Sequence, residues 1–557
     1  MCEFLSNGNP ANYKVFNKMH NHGTWATAAV GMIGYVMEDK NLTDIALYGS
    51  KKDGKTGFIK QLDVLFSPDG YFTEGPYYLR YAIWPFMVFA QVIQNKQPEL
   101  KIFDYRDGVL NKAVDVLLQS SYKGEIFYLN DALEKTFKTQ EIVYAVDIAF
   151  KNNSSEKELL DIVGQQGAFV VSDAGIFTAK AFYKEKKIKN FNYKSMLMRD
   201  GGDGTKGAIA VVRSGNQADA LCLTFKATSH GLSHGHYDKL SITLHDNGNP
   251  ILTDYGAARF LNIEPKFGGH YTKENYTWAM QTIAHNTLTL NQTSHFNAQI
   301  DISSKYNPEI QYCDFSNSKA QIVCALDSNA YPDVVMRRTT SMLKIDSLEF
   351  PFIVDVFKIN SQKNNQTVDL PFYYSGHVVS TDFDFVKNTS VLKPLGTENG
   401  FQHLWIEASG KTNNSQARFT WFKGSRFYSI TTITDKNSEL ILTRLGANDP
   451  NFNLRNETTA FMIRQQNKKN HTFVSIIEPH GLYDINKEVT YGVHSNIASL
   501  QIVEDNDLVT AIEIKTKDNK IILYAINNKS QLKVNNKFNY NNKTYEFSGV
   551  YYFNQIK

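Results

Sequence analysis

Apolar residues recur at helical spacing over the first third of the chain and at alternate positions over most of the rest. Segments 25–37, 77–94, 110–119, 132–149 and 156–163 carry apolar residues three and four apart, which predicts a helix in each. Pro76 stands where proline opens a helix, and Pro85 within the same segment predicts a kink. Helices in such succession imply a bundle or an α/α toroid. From about Asp200 the texture changes to short alternating runs, among them 207–213, 220–225 and 426–433, separated by clusters of Asn, Asp and Gly. These strands are too many for one sandwich. The pattern therefore predicts a multidomain α+β chain: a helical bundle or α/α toroid over 1–195, an antiparallel β-sandwich over 196–372 and a further antiparallel β-sheet region over 373–557. The Gly-rich segment 199–204 reads as the junction, and no internal repeat is visible.

One hairpin carries candidate chemistry. Asn247-Gly248 separates 240–244 from 250–254, and Asn-Gly supplies the positive φ angles of a tight turn. Ser241, Thr243 and His245 alternate with Leu240, Ile242 and Leu244, which predicts one buried and one polar face. His234 and His236 share a face if the strand reaches back to them, and Asp254 ends the partner strand. His285 opens a further alternating run and is expected at a strand start. Two imidazoles and a carboxylate suit Zn²⁺ by ligand type. Against this, the 17 residues between His236 and Asp254 and the 30 between Asp254 and His285 make no compact ligand motif.

Composition narrows the classes without choosing among them. At 557 residues the chain is too long for one core, and 42% apolar with 21% charged residues is ordinary for a globular protein. A net charge of +3 argues for no nucleic-acid partner. The 30 Tyr and 36 Phe exceed what core filling requires and favour carbohydrate. Cys2, Cys222, Cys313 and Cys324 form no zinc pattern or disulfide framework; Cys313 and Cys324 could face each other across a hairpin, but buried free thiols are expected. No apolar run is long enough to span a membrane.

A second constellation sits on the helical side. Asn21-His22-Gly23-Thr24-Trp25 is placed at a helix N-terminus, where free N–H groups favour a carboxylate. In the motif 69–81, Tyr78 and Tyr81 lie one helical turn apart, with Arg80 between them in sequence but directed elsewhere. Trp25, Tyr77, Tyr78 and Tyr81 also suit an aromatic core patch, and Asn21 and His22 could be caps. The Gly-punctuated loop holding His270, Tyr271, Tyr276 and Trp278 is a candidate active-site edge.

Together, Asn21-His22-Gly-Thr-Trp-Ala, Asp69-Gly-Tyr-Phe-Thr-Glu-Gly-Pro-Tyr-Tyr, His234-Gly-His236 and Asp254-Tyr-Gly-Ala-Ala-Arg259 resemble the heparinase II/III-like polysaccharide lyases. The resemblance is greatest to the oligoalginate exolyases of polysaccharide lyase family 17. It implies a toroid followed by antiparallel sheets, with the active site in the cleft between them. By position it implies a structural zinc on His236, Asp254 and His285, and carboxylate or subsite contacts from Asn21, His22, His234 and Arg259. It further implies an acid and base pair in Tyr78 and Tyr271 and an additional subsite residue in Tyr81, beside which Arg80 is grouped with the substrate-binding residues. The family carries helices ahead of the Asn-His motif, so the toroid here is expected to be incomplete and the chain a fragment or a misplaced start. A periplasmic or secreted location would then accompany the native N-terminus, and a homodimer stays open.

The implied reaction is β-elimination from a uronate, with alginate as the expected polymer and another uronic acid polysaccharide as the alternative. A glycoside hydrolase would need two carboxylates across the scissile bond, and Asp69 and Glu74 are the nearest pair. A noncatalytic carbohydrate-binding protein with a zinc-stiffened sheet is the rival from another class.

Overall fold

A computed structural model of the chain describes residues 14, 16–258, 272–388, 391–446, 459–529 and 535–556. It forms two compact units. One comprises Met1–Ile209, Gly215–Ala218 and Thr228–Gly235; the other comprises Ala210–Ser214, Asp219–Ala227 and His236–Lys557.

The first unit is helical. Its helix Asn21–Val36 is capped by His20, whose imidazole accepts the His22 N–H. Gly31 lets this helix approach Pro76–Lys96 closely, because a Cβ there would sit 2.0 Å from the Phe89 ring. Pro76 occupies the first turn of that second helix and Pro85 lies inside it, both as the sequence predicts. Helices Tyr105–Gln119, Gln140–Asn152 and Leu159–Gln166 follow. The expected helix over 132–149 starts only at Gln140. Residues ahead of it are extended because Ile126 N–H donates to Lys135, Phe137 N–H donates to Gly124 and Thr136 bridges Glu125. Lys40–Tyr48, Phe58–Leu65 and Asp173–Lys184 are additional helices that the periodicity did not mark, two of them started by the side chains of Asp39 and Ser172.

The second unit is built on two large antiparallel sheets. In one, Phe352–Ser361 lies between Val334–Leu343 and Asn470–His480. In the other, Gln366–Tyr374 pairs with Thr459–Lys468 on one side and with Asn249–Leu252 on the other, after which come Ser241–Asp246 and Cys222–Thr228. Tyr373 thus sits inside a central strand, and the sheet continues through it. A four-stranded sheet near the C-terminus contributes Ile512, Ile514, Ile522 and Tyr524 to a core shared with Ile322, Val354 and Ile476. The three described cysteines, Cys222, Cys313 and Cys324, are free thiols.

Asn247 (φ 48) and Gly248 (φ 76) make the expected hairpin turn. Two expectations about that hairpin are corrected. Every residue of Ser241–Asp246 is buried, so the strand has no solvated polar face; instead Thr243 and Thr224 join their hydroxyls across the strands at 2.6 Å. The strand also does not reach back to His234 and His236. Positive φ at Gly231, Leu232 and Leu240 breaks the extended run, and Leu232–His234 forms a 3₁₀ turn. His285 likewise closes the 3₁₀ turn Thr282–Ala284, and the strand after it is only Thr289–Leu290.

Candidate active site and metal centre

Residues from separate motifs converge within the helical unit. Tyr78, in the first turn of Pro76–Lys96, stacks on His234 with ring centroids 3.7 Å apart and planes inclined by 13°. His234 Nδ1 lies 3.2 Å from Asp131 Oδ2, and the Asp131 N–H donates to the His234 carbonyl at 3.1 Å. The His20 ring is 5.6 Å from that of His234 and 5.0 Å from that of His22. Asn21 Nδ2 donates to Glu74 Oε2 at 3.0 Å, and His20 Nε2 is 3.4 Å from Glu74 Oε1. All of these except His22 and Tyr78 are buried.

Two anchors fix the loop that carries His234. Asp200, fully buried, accepts from Ser229 N–H and Ser229 Oγ at the start of the loop. Asn130 Nδ2 donates to the Glu74 carbonyl at 2.9 Å, while Gly231 packs so tightly that a Cβ would sit 2.9 Å from Asn130 Nδ2. At φ +85 only glycine serves there without strain.

Burial disfavours charge on three members of this cluster. Burial, then Lys18, His234 and His22, push His20 down to about 3. Burial and Lys18 lower His22 as well. Burial raises Glu74 to about 8, against hydrogen bonds from Asn21 and the charge of Lys18. The N–H groups at the start of helix Asn21–Val36 are suited to receive an anion.

Tyr81 and Arg80 take other positions. Tyr81 packs on Trp25 at 5.2 Å. Arg80 is buried, paired with Glu141, and lies 4.9 Å over the Tyr77 ring. Asp69 is held by Arg199 through two side-chain bonds of 2.6 and 2.8 Å, which keep its carboxyl below the usual range. Glu74 is enclosed by Asn21 and His20, so neither carboxylate of the hydrolase reading is presented to a scissile bond. Arg259 and Tyr271 lie outside the described residues.

The second unit gathers the other set. His236, Asp254 and His285, all buried, bring one donor atom each to within 4.8 Å of one another. His285 Nδ1 is 2.8 Å from Asp254 Oδ2, and His285 Nε2 has no hydrogen-bond partner among the described residues. Two imidazoles, one of them with an orphaned buried nitrogen, and one carboxylate fit Zn²⁺. Burial opposes a charge on His285, but Asp254 and then Asp238 outweigh it and raise the imidazole above its ordinary value.

Asn286 holds this centre in shape. Its Nδ2 donates to the carbonyls of Ile242 and Thr253, both at 2.8 Å, and its Oδ1 accepts from Tyr373 N–H at 2.7 Å. Thr282 and Thr287 reach back from the His285 loop to the carbonyls of Tyr237 and Lys239, each at 2.6 Å. Arg338, completely buried, donates to the Leu240 and Asn286 carbonyls and forms a two-bond pair with Asp355.

His20, Asp131, Asn130, Asp200 and Asn286 were missed from the sequence. His20 had a usable signal, its place one residue before the Asn-His motif at a helix start. The others act across long separations, such as the 103 positions from Asp131 to His234.

The comparisons agree with both halves. Residues 198–490 match the family model described as heparinase II/III-like, C-terminal, and residues 8–127 match the alginate lyase model. The chain is 44% identical over 537 residues to the exo-oligoalginate lyase of Saccharophagus degradans, covering 95% of this chain and 72% of that protein. It is 43% identical over 509 residues to the alginate lyase of Stenotrophomonas maltophilia, covering 91% and 67%. The fold is that of the solved heparan sulfate lyase HepC from Pedobacter heparinus (TM-score 0.62, 13% identity, 91% of this chain) and of a heparinase III (TM-score 0.59, 12% identity, 92% of this chain). This chain spans 66% of the length of each of those two structures.

Proposed function

Because the chain belongs to the heparinase II/III-like polysaccharide lyases, we propose that it cleaves alginate oligomers by β-elimination from the chain end, releasing an unsaturated uronate monomer. The carrying observation is that Asn21, His22, Tyr78 and His234, drawn from separate motifs, are linked through His20 and Glu74 into one cluster. The chain that holds this cluster is 44% identical to an exo-oligoalginate lyase over 95% of its own length.

Elimination breaks the C5–H bond, forms the C4–C5 double bond and breaks the C4–O bond, with a proton delivered to the leaving oxygen. The C5 proton lies next to a carboxylate, whose charge must be neutralised first. Asn21 and His22 begin a helix and supply donors for that task, each worth about 2.7–4 kcal/mol in the transition state. Tyr78, stacked on His234, serves as acid toward the leaving oxygen. Tyr271 serves as base by its family position, with Arg259 as a carboxylate contact. A phenol of ordinary pKa near 10 needs positive neighbours to act as a base at neutral pH. His234 is held by Asp131 for substrate contact, and Tyr81 lies further along the site.

His236, Asp254 and His285 would hold a structural Zn²⁺. Bound there, the metal would tie the His236 loop to those of Asp254 and His285, apart from the proton transfers. Alginate oligomers are polyanions that do not cross a bilayer unaided, so a periplasmic or secreted placement accompanies this function. No described helix is long and apolar enough to cross a membrane.

Product size tests the mode of attack. Chromatography of a polymannuronate or polyguluronate digest should show unsaturated monomer from the first time points. An early ladder of intermediate oligomers would refute end-wise cleavage.

A further inference from the structure

Glu74 stands behind Asn21, one of the two residues read as carboxylate donors. Its side chain is fully buried just ahead of helix Pro76–Lys96. Oε2 takes the Asn21 amide N–H at 3.0 Å, and Oε1 faces His20 Nε2 at 3.4 Å. His20 Nδ1 in turn accepts the His22 N–H, so the neutral imidazole carries its proton on Nε2, toward Glu74. The carboxyl group thus backs Asn21 directly, and it touches His20 at 3.4 Å without a hydrogen bond. Its own backbone is fixed by Asn130, whose neighbour Asp131 holds His234.

We propose that Glu74 is a positioning residue that fixes the amide of Asn21 with its NH₂ end in place for the substrate carboxylate. The proposal rests on the lyase reading of Asn21. The amide of asparagine is nearly symmetric in shape, and rotating it by half a turn exchanges donor for acceptor. Facing a uronate, the oxygen end repels the anion and the NH₂ end binds it. An acceptor that takes one N–H selects the productive orientation and leaves the second N–H for substrate. A protonated Glu74 also carries an O–H donor, so the selection requires that the oxygen facing Asn21 be the one without the proton.

A bound cation is the competing use of these groups, since His20, Glu74 and His234 bring donor atoms to within 4.8 Å of one another. The His20 tautomer opposes it. With the proton on Nε2 there is no lone pair on the side that faces Glu74.

The test is a double-mutant cycle in the full chain, read as kcat and KM on mannuronate and guluronate oligomers. Asn21→Ala is expected to lower kcat about 10²–10³-fold, as for loss of one preorganised donor. Glu74→Leu should lower kcat at least tenfold with a smaller change in KM. Combining it with Asn21→Ala should cost no more than about threefold beyond Asn21→Ala alone, because both act through one amide. Glu74→Gln keeps an acceptor oxygen and should recover kcat to within about tenfold of wild type. If Glu74→Leu does not fold, the same cycle is run with Glu74→Gln, which should leave Asn21→Ala unchanged. Additive losses in the cycle, or Glu74→Gln as impaired as a folded Glu74→Leu, overturn the proposal. So does elemental analysis that finds a second metal per chain which Glu74→Gln removes. Absence of unsaturated product from wild type on every uronate polymer would instead overturn the lyase reading, whereas an active wild type with an additive cycle overturns this inference alone.

Discussion

The ring of Tyr78 lies flat on that of His234, 3.7 Å between centroids. The stack holds the phenol by its ring face. Tyr78→Phe keeps the stack and removes only the oxygen. It should lower kcat by about two to four orders of magnitude, the range for a general acid or base. Stability to urea should stay within about 1 kcal/mol of wild type. Near-normal turnover would remove Tyr78 from the mechanism.

Metal removal should act on stability before it acts on chemistry. A ligand at 100 times its Kd stabilises a fold by about 2.7 kcal/mol. For a unit the size of the sheet domain, that is about 4 °C in thermal midpoint. Dialysis against a zinc chelator should lower the midpoint by about this amount, zinc should restore it, and His236→Ala should abolish the response. An unchanged midpoint in protein shown to be metal-free would contradict a structural role for the three ligands.

Arg338 is buried with Asp355 and tied to the Leu240 and Asn286 carbonyls. Truncating one partner of such a pair leaves an uncompensated buried charge, at a cost of about 3–5 kcal/mol. Arg338→Ala should lose that much stability by urea denaturation and also weaken zinc retention, since Asn286 anchors the ligand loops. A loss below about 1 kcal/mol would show that the network around Asn286 holds without it.

Glu74 gives a pH signature with a definite sign. Burial raises its carboxyl from 4.5 to about 8, so between those values the folded state keeps a proton that the unfolded chain has released. Stability from this group is therefore full below about pH 4.5 and is lost as pH rises through 8. The thermal midpoint of wild type relative to Glu74→Gln should fall from pH 5 to pH 8. A difference that is flat or rises over that range contradicts the buried, protonated carboxyl.

What the sequence could reveal follows from how local each cause is. Asn247-Gly248 and Pro76 dictate their own backbone angles, so the hairpin and the start of the long helix were legible. The halt before Gln140 was not, because the extended strand-like path around Thr136 is imposed by residues 124–126, a separate part of the chain. The His234-Gly235-His236 motif misled on the setting of its residues. Turn-forming φ angles at Gly231 and Leu232 replace the strand that the alternation suggested. Asn21 and Tyr78 were legible from motif and helix position, whereas Glu74 could be quoted but not understood. Its meaning lies in a contact 53 residues away.

The most direct test of eliminative cleavage is ultraviolet absorbance of the C4–C5 unsaturated uronate, followed with oligomannuronate, oligoguluronate and heparan sulfate side by side. Wild type should give rising absorbance with alginate oligomers, and Tyr78→Phe should give almost none. New reducing ends without absorbance, or absorbance with heparan sulfate alone, would contradict an alginate lyase.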